Sequence, residues 1–188
     1  WAMDALIRQG KVLYWGTSEW PAALIREADR IARAHHLHGP TMEQPEYNLL
    51  RRERVELEYA PLYAELGLGT TIWSPLASGM LTGKYADGVP ADSRLAQPQL
   101  EWLQGSVLGD ANANRVGRAG RFTALAAELG VAPAPLAIAW CLTNPHVSTV
   151  LLGASRVSQL LENLQALELL GRFDDSVWRR GEAVTGGG

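Results

Sequence analysis

The stretch Thr70-Thr71-Ile72-Trp73-Ser74-Pro75-Leu76-Ala77-Ser78-Gly79 decides the fold class of this 188-residue chain. It begins with a short β-rich run, Thr70 to Ser74, and continues into a segment that contains proline and glycine. Three further runs of this kind, none with the strict polar alternation of a half-exposed antiparallel strand, lie at Val12 to Trp15, Thr41 to Gln44 and Ser148 to Leu152. Short, mostly apolar strands that alternate with helices indicate parallel βα units.

Helix-like sequence separates these runs. It lies in seven segments, at about 2–8, 21–37, 55–66, 122–129, 133–143, 160–167 and from Asp174 onward. The sequence therefore predicts an α/β fold with four parallel strands and outer helices. Four βα units are too few for a closed eight-stranded barrel, which takes about 250 residues. The number of units does not distinguish a small open doubly wound sheet from half of a barrel.

Composition excludes several classes of protein. The net charge is -3 and no basic stripe is present, so we expect no nucleic-acid partner. The longest apolar stretch, Val131 to Leu142, contains two prolines and is shorter than the ~20 residues of a membrane helix, so we expect no direct membrane insertion. A single cysteine and the lack of a signal-like N-terminus predict a cytoplasmic protein.

Polar side chains occur where the four predicted strands end: Ser18, Gln44, Ser74 beside Trp73, and Ser155. Ligands bind at the carboxyl ends of parallel strands, so these four side chains are candidates to converge on one ligand. The alternative for each serine is a helix cap. His35, His36 and His38 have no carboxylate or cysteine at ligand spacing, and we predict no metal site.

Motifs follow one another along the chain from about Ala2 to Leu170. They are Tyr14-Trp15-Gly16-Thr17-Ser18, Glu43-Gln44-Pro45-Glu46-Tyr47-Asn48, Trp73-Ser74-Pro75-Leu76-Ala77-Ser78-Gly79, Gly83-Lys84-Tyr85, Leu136-Ala137-Ile138-Ala139-Trp140-Cys141-Leu142 and Val150-Leu151-Leu152-Gly153-Ala154-Ser155. In this order they resemble the C-terminal part of the aldo-keto reductase family, most of all its branch of potassium-channel β-subunits and related bacterial reductases. The resemblance implies that residues 1–188 are the C-terminal half of a single (β/α)8 TIM barrel domain. Since the chain begins at Trp1 with what looks like the end of a helix, we expect a fragment whose N-terminal part is absent.

The resemblance also implies that the complete protein binds NADP(H) in extended form, without a Rossmann fold. Ser18 and Gln44 correspond to the pair that hydrogen-bonds the nicotinamide carboxamide, and Trp73 to the aromatic residue that stacks on the nicotinamide. The other implied positions are Ser74, Leu76 and Ser78 along the pyrophosphate, Lys84 and Arg94 on a cofactor-covering loop at 79–115, and Gly153, Ser155, Gln159, Glu162 and Asn163 at the adenosine and 2′-phosphate end.

Arg156 is a candidate for recognising the 2′-phosphate. It follows the hydroxyl of Ser155 at the start of a predicted helix, and a guanidinium suits the geometry of a phosphate. No acidic residue stands among the first positions of this segment to bind a free ribose hydroxyl, so the sequence predicts a preference for NADPH over NADH. The alternative is that Ser155 caps the helix and Arg156 points into solvent.

No catalytic residue is predicted within the chain, because the catalytic Asp, Tyr and Lys of the family belong to the first half of the barrel. We therefore expect the complete protein to be a reductase of aldehydes or ketones, and residues 1–188 on their own to be inactive. Glu19 and Asp92 stand where channel β-subunits carry a basic and an aromatic residue, which favours an enzyme over a channel-regulating redox sensor. A pseudoenzyme that binds the cofactor weakly or not at all is a further alternative, and the chain is also a candidate to form a homo-oligomer.

Overall fold

The computed structural model describes residues 1–86, 88–91, 93–109 and 112–186. The chain divides into two compact units. The first consists of Trp1–Tyr47, Arg51–Trp73 and Asn144–Leu151, and the second of Asn48–Leu50, Ser74–Thr143 and Leu152–Gly188. Each unit is described by itself below.

The first unit contains a four-stranded parallel sheet. Its strands are β1 (Gly16–Ser18), β2 (Met42–Gln44), β3 (Gly69–Ile72) and β4 (Val147–Val150), and they lie side by side in chain order. The register pairs Ser18 with Gln44 and Glu43 with Thr70. A doubly wound sheet reverses its strand order at a switch point, whereas this order runs in one direction, as in part of a (β/α)8 barrel.

Helices α1 (Ala2–Arg8), α2 (Ala22–Ala34) and α3 (Ala60–Leu66) belong to the same unit, and a π-helical turn at Arg54–Glu58 precedes α3. Helix α2 begins directly after Pro21, which has an extended backbone conformation. The buried core between α2 and α3 consists of Ala22, Ile25, Tyr59, Leu62 and Leu68. The predicted helices 2–8 and 21–37 are therefore confirmed, with small shifts at their ends. The segment predicted as one helix at 55–66 instead consists of the π-helical turn and α3, divided at Tyr59.

The second unit is helical. Its α-helices are α4 (Glu101–Leu108), α5 (Ala113–Glu128), α6 (Pro133–Thr143), α7 (Val157–Leu164), α8 (Ala166–Arg172) and α9 (Asp175–Thr185). Helix α6 is buried along Ala134 to Cys141, as its uniformly apolar sequence requires. Asp174 caps α9 and accepts hydrogen bonds from the backbone N–H groups of Ser176 and Val177. The side-chain hydrogen bond from Ser176 lowers the pKa of Asp174.

Three predicted boundaries are wrong. The first strand is Gly16–Ser18 and not Val12 to Trp15. The segment 160–167 spans two helices, α7 and α8, and the helix predicted at 122–129 begins at Ala113. The predicted loop at 79–115 contains 3-10 turns at Arg94–Ala96 and Pro98–Leu100, helix α4 and the first residues of α5. Asp92, on this segment, lies outside the described residues.

Within the described ranges, no single helix has both the length and the hydropathy of a membrane span. Helices α5 and α6 meet this criterion only when they are taken together, across a bend of 100°.

Candidate functional site

The carboxyl ends of β1 and β2 place a hydroxyl beside an amide-bearing residue. Ser18 and Gln44 are register partners, and the Ser18 hydroxyl donates a hydrogen bond of 3.0 Å to the backbone carbonyl of Gln44. Ser18 is exposed and Gln44 is half-buried. A hydroxyl and a carboxamide on neighbouring strands can satisfy both the acceptor and the donors of a ligand amide.

Trp73 follows β3 directly. Its backbone N–H donates to the Pro45 carbonyl at 3.0 Å, and its carbonyl accepts from Tyr47 N–H at 3.2 Å, so the backbone at Trp73 remains paired with the segment after β2. The residue is 37% exposed although Ile72 before it is fully buried. An indole held by its backbone and left partly open is suited to stacking on a flat ring.

Glu19 lies beside Trp73. The indole Nε1–H of Trp73 donates to Glu19 Oε1 at 3.0 Å, and the backbone N–H of Glu46 donates to the same oxygen at 2.5 Å. The other carboxylate oxygen, Oε2, pairs with the guanidinium of Arg54. Glu19 has a φ of 60°, in the left-handed region that few non-glycine residues adopt.

A buried carboxyl group supports the loop after β1. Glu43 is fully buried in β2, where it accepts hydrogen bonds from the Thr17 hydroxyl and, at 3.1 Å, from the backbone N–H of Trp20. Burial raises the pKa of Glu43, and the hydrogen bonds from Thr17 and the backbone act in the opposite direction. These contacts fix the chain on both sides of Ser18.

In the second unit, Ser74 begins a strained turn. Ser74, Ala77 and Ser78 have φ values of 55°, 48° and 57°, and Gly79 follows at 94°. The backbone N–H of Ser78 donates to the Ser74 hydroxyl at 3.3 Å, and the Tyr85 hydroxyl donates to the Ser78 carbonyl at 3.1 Å. Successive residues in the left-handed region cost free energy and persist where side-chain contacts enforce them, which is common at ligand-binding sites.

Two predicted cationic residues follow this turn. The Lys84 ammonium lies 5.0 Å from the centre of the Tyr85 ring, and a Cβ at Gly79 would overlap the Lys84 side chain. The Lys84 side chain could move aside, so the positive φ of Gly79 is what favours glycine at this position. Arg94 is exposed at the start of its 3-10 turn. Leu76 is half-buried.

The segment from Gly153 to Asn163 exposes most of its predicted site residues. Gln159 Oε1 accepts from both the backbone N–H of Ser155, at 2.9 Å, and the Ser155 hydroxyl, at 3.1 Å. The structure thus brings Ser155 and Gln159 together, while Arg156, not Ser155, is the residue that precedes α7. Gly153, Arg156 and Glu162 are exposed, and Asn163 is buried.

The tyrosine hydroxyls of the core serve the fold. Tyr59 donates to the Trp20 carbonyl at 2.6 Å, Tyr63 to the Val55 carbonyl at 2.7 Å and Tyr47 to Glu56 at 2.8 Å. Burial raises the pKa of Tyr59 and of Tyr63. Among the described residues no group of three or more His, Cys, Asp or Glu side chains is arranged to hold a metal ion.

Sequence reasoning selected Ser18, Gln44 and Trp73, all in the first unit, and eleven further residues, all in the second. It missed the supporting contacts of Glu19 and Glu43. Glu43 carried one signal, because an ionisable residue within a short strand of a parallel sheet is buried and needs partners. The contact between Glu19 and Trp73 joins residues 54 positions apart and left no local pattern.

Known proteins with similar sequences identify the family. The model of the Aldo/keto reductase family matches residues 1–185. The chain is 48% identical over 184 residues to a protein of Oryza sativa subsp. japonica named probable voltage-gated potassium channel subunit beta. The matched region covers 97% of this chain and 55% of that protein. An Arabidopsis thaliana protein of the same name is 48% identical over 170 residues, 90% of this chain and 51% of its own length.

A Schizosaccharomyces pombe protein, named putative voltage-gated potassium channel subunit beta, is 40% identical over 179 residues, or 95% of this chain and 52% of that protein. The chain spans about half the length of these curated relatives. The parallel strand order, the family model and the shared identity agree, and the chain belongs to the aldo/keto reductase family.

Proposed function

We propose that the full-length protein carrying this chain is an NADP(H)-dependent reductase of aldehydes or ketones. The observation that carries this proposal is the arrangement at the ends of three adjacent strands in the first unit. The partly exposed indole of Trp73 follows β3, and the Ser18 and Gln44 side chains end β1 and β2. When bound, a nicotinamide cofactor supplies the hydride that reduces the carbonyl group.

The residues of this chain would bind and orient the cofactor. Ser18 and Gln44 hold the carboxamide, and Trp73 stacks on the ring, so that one ring face is directed at the substrate. Ser74, Leu76 and Ser78 contact the pyrophosphate, and Lys84 and Arg94 neutralise its charge. The segment with Gly153, Ser155, Arg156, Gln159, Glu162 and Asn163 holds the adenosine end and its 2′-phosphate. The hydroxyls of Tyr47, Tyr59 and Tyr63 donate to acceptors within the fold, and the resemblance places the Tyr that donates the proton in the first half of the barrel.

A regulatory subunit is the second candidate function, and the names of the three relatives favour it. Under this alternative the bound cofactor reports the redox state to a membrane channel. Glu19 favours the enzyme, since it stands where the resemblance places a basic residue in channel β-subunits. We also propose a cytoplasmic location for the enzyme, in keeping with its single buried cysteine.

Turnover by the purified full-length protein separates these candidates. We expect NADPH absorbance at 340 nm to fall when an aldehyde is added in the absence of any partner protein. Tight NADPH binding without turnover on a panel of aldehydes and ketones, together with recovery of a channel in a pull-down, would favour the regulatory subunit. Absence of both binding and turnover would leave a pseudoenzyme.

The cofactor preference tests the segment from Gly153 to Asn163. A charge-assisted contact to phosphate contributes about 1.5–3 kcal/mol, so we expect NADPH to bind at least about ten-fold more tightly than NADH. The double variant Ser155→Ala/Arg156→Ala should lose most of this preference and keep its NADH affinity. The control variant Ser158→Ala/Arg179→Ala, at exposed positions of α7 and α9, should keep the preference. Equal affinities of the unmodified protein, measured by fluorescence titration, would contradict the role of this segment.

A further inference from the structure

We propose that Glu19 is a positioning residue that selects the orientation of the Trp73 indole and, through it, aligns the nicotinamide. The inference deepens the proposed function and rests on it. Glu19 does not need to contact the cofactor to act in this way, because its effect is transmitted by one hydrogen bond to the ring on which the cofactor stacks.

One oxygen of Glu19 joins the side chain of Trp73 to the backbone of a neighbouring segment. Oε1 accepts from Trp73 Nε1–H at 3.0 Å and from the Glu46 backbone N–H at 2.5 Å. Glu46 and Trp73 are also bridged as a parallel pair that extends β2 and β3. The carboxylate therefore ties the indole to the same backbone ladder that holds the Trp73 main chain.

This tie removes an ambiguity in the tryptophan rotamer. The χ2 torsion of tryptophan is broad and roughly two-fold, so a partly exposed indole has two orientations that differ in where Nε1 points. In the orientation that the structure shows, Nε1 donates to the carboxylate of Glu19, and a hydrogen bond to a charged acceptor is stronger than a bond to a neutral one. A single ring orientation gives the nicotinamide a preformed surface, and preorganisation lowers the cost of binding.

The position of Glu19 is itself fixed. Its Oε2 pairs with Arg54, and Arg54 pairs at 3.3 Å with Glu58, so Arg54 also offsets the negative charge beside the indole. The φ of 60° is a left-handed conformation that a non-glycine residue keeps only where its surroundings enforce it. The strained backbone directs the carboxylate toward Trp73 and Glu46 instead of solvent.

The test uses the full-length protein and two variants of Glu19. Glu19→Gln keeps an oxygen acceptor, and Glu19→Met keeps the length of the side chain without an acceptor. The matched control is Glu65→Met, which removes an exposed carboxylate that pairs with Arg26 at 2.7 Å in the same unit. Trp73→Phe identifies the indole resonance of Trp73 among those of the full-length protein, seven of which come from this chain.

The first readout is the indole N–H resonance of Trp73 without cofactor, measured by 15N-edited NMR. We expect Glu19→Met to move it upfield, Glu19→Gln to move it part of the way, and Glu65→Met to leave it in place. The second readout is the Kd for NADPH. Aromatic stacking contributes on the scale of a ten-fold change in Kd, so Glu19→Met should raise the Kd by about ten-fold and Glu19→Gln by less.

The Trp73→Phe background distinguishes positioning from direct contact. Phe keeps a stacking ring but has no N–H, so Glu19→Met should change the NADPH Kd by less than about two-fold in that background. An unchanged Trp73 resonance in Glu19→Met, or an equal loss of affinity with Phe at position 73, would overturn the inference while NADPH binding by the unmodified protein stands. Failure of the unmodified protein to bind NADPH would overturn the proposed function and this inference together.

Discussion

Gly16→Ala is expected to destabilise the protein by about 3 kcal/mol, the upper end of the usual cost of overpacking. A Cβ at position 16 would overlap both the side chain and the backbone carbonyl of Met42, the register partner of Gly16 in β2. The side chain of Met42 can move, but its carbonyl cannot without separating the two strands. Urea unfolding of the full-length protein followed by circular dichroism measures this loss.

Gly120→Ala is the matched control with the opposite sign. Gly120 lies in the interior of α5, and an added Cβ there meets no atom within 4 Å. Replacement of an unconstrained helical glycine by alanine stabilises a protein by about 0.5–1 kcal/mol. A loss for Gly16→Ala no larger than about 0.5 kcal/mol would mean that β1 and β2 can separate at this point without cost.

Glu43→Ala is expected to cost about 3 kcal/mol, because the substitution leaves the buried Thr17 hydroxyl and the partly buried Trp20 N–H without their acceptor. Glu43→Gln retains an acceptor oxygen and should cost less. The control Glu53→Ala, at an exposed position of the same unit, should change the free energy of unfolding by no more than about 0.5 kcal/mol. Equal losses for Glu43→Ala and Glu53→Ala would contradict a supporting role for Glu43.

The pH dependence of the Glu43→Gln variant tests the raised pKa of Glu43. An unfolded glutamate has a pKa of about 4.3, and burial raises the folded value above it. Between these two values the folded protein binds more protons than the unfolded chain, so the contribution of Glu43 to stability falls as the pH rises. We therefore expect the free energy of unfolding of Glu43→Gln, compared with that of the unmodified protein at the same pH, to become more favourable as the pH rises above about 4.3. A constant difference across this range would contradict the shift.

The most accurate sequence predictions concern helices with local stop signals. Helix α6 spans Pro133–Thr143 as predicted, because a proline starts it and Asn144-Pro145 ends it. The beginning of α5 was missed because its first turns lack an apolar stripe. Arg118 donates a hydrogen bond to the Thr185 carbonyl, and Arg121 donates one to the Val184 carbonyl, both in the last turn of α9. Such contacts with another helix stabilise α5 but leave no periodic pattern in its own sequence.

The first strand shows why hydrophobicity alone misplaced a boundary. Val12 to Trp15 is apolar, yet Leu13 and Tyr14 are exposed. The parallel register instead begins at Gly16, where the close approach of Met42 requires a residue without a side chain. Strand pairing is decided by the partner strand, whose position is not encoded in the local pattern.

The candidate site likewise combines residues that the sequence revealed with a contact that only the structure shows. Ser18 and Gln44 were selected because they are polar residues at strand ends, a property that a sequence displays, whereas Trp73 was selected from the family resemblance. The orientation of the Trp73 indole depends on Glu19, a contact between residues far apart in sequence, and sequence reasoning treated Glu19 only as a departure from channel β-subunits. The roles of all these residues toward the cofactor stay predictions.

The strands pair in chain order, and the loops that must close to bring neighbouring strands together differ in length. Gly16 and Met42 are 26 residues apart and Met42 and Gly69 are 27 apart, whereas 77 residues separate Thr70 from Val147. Each doubling of a flexible loop adds about 0.6 kcal/mol of closure entropy, so joining β4 to β3 costs about 1 kcal/mol more than either earlier pairing. Chain entropy thus favours the pairing of β1, β2 and β3 before β4 joins β3.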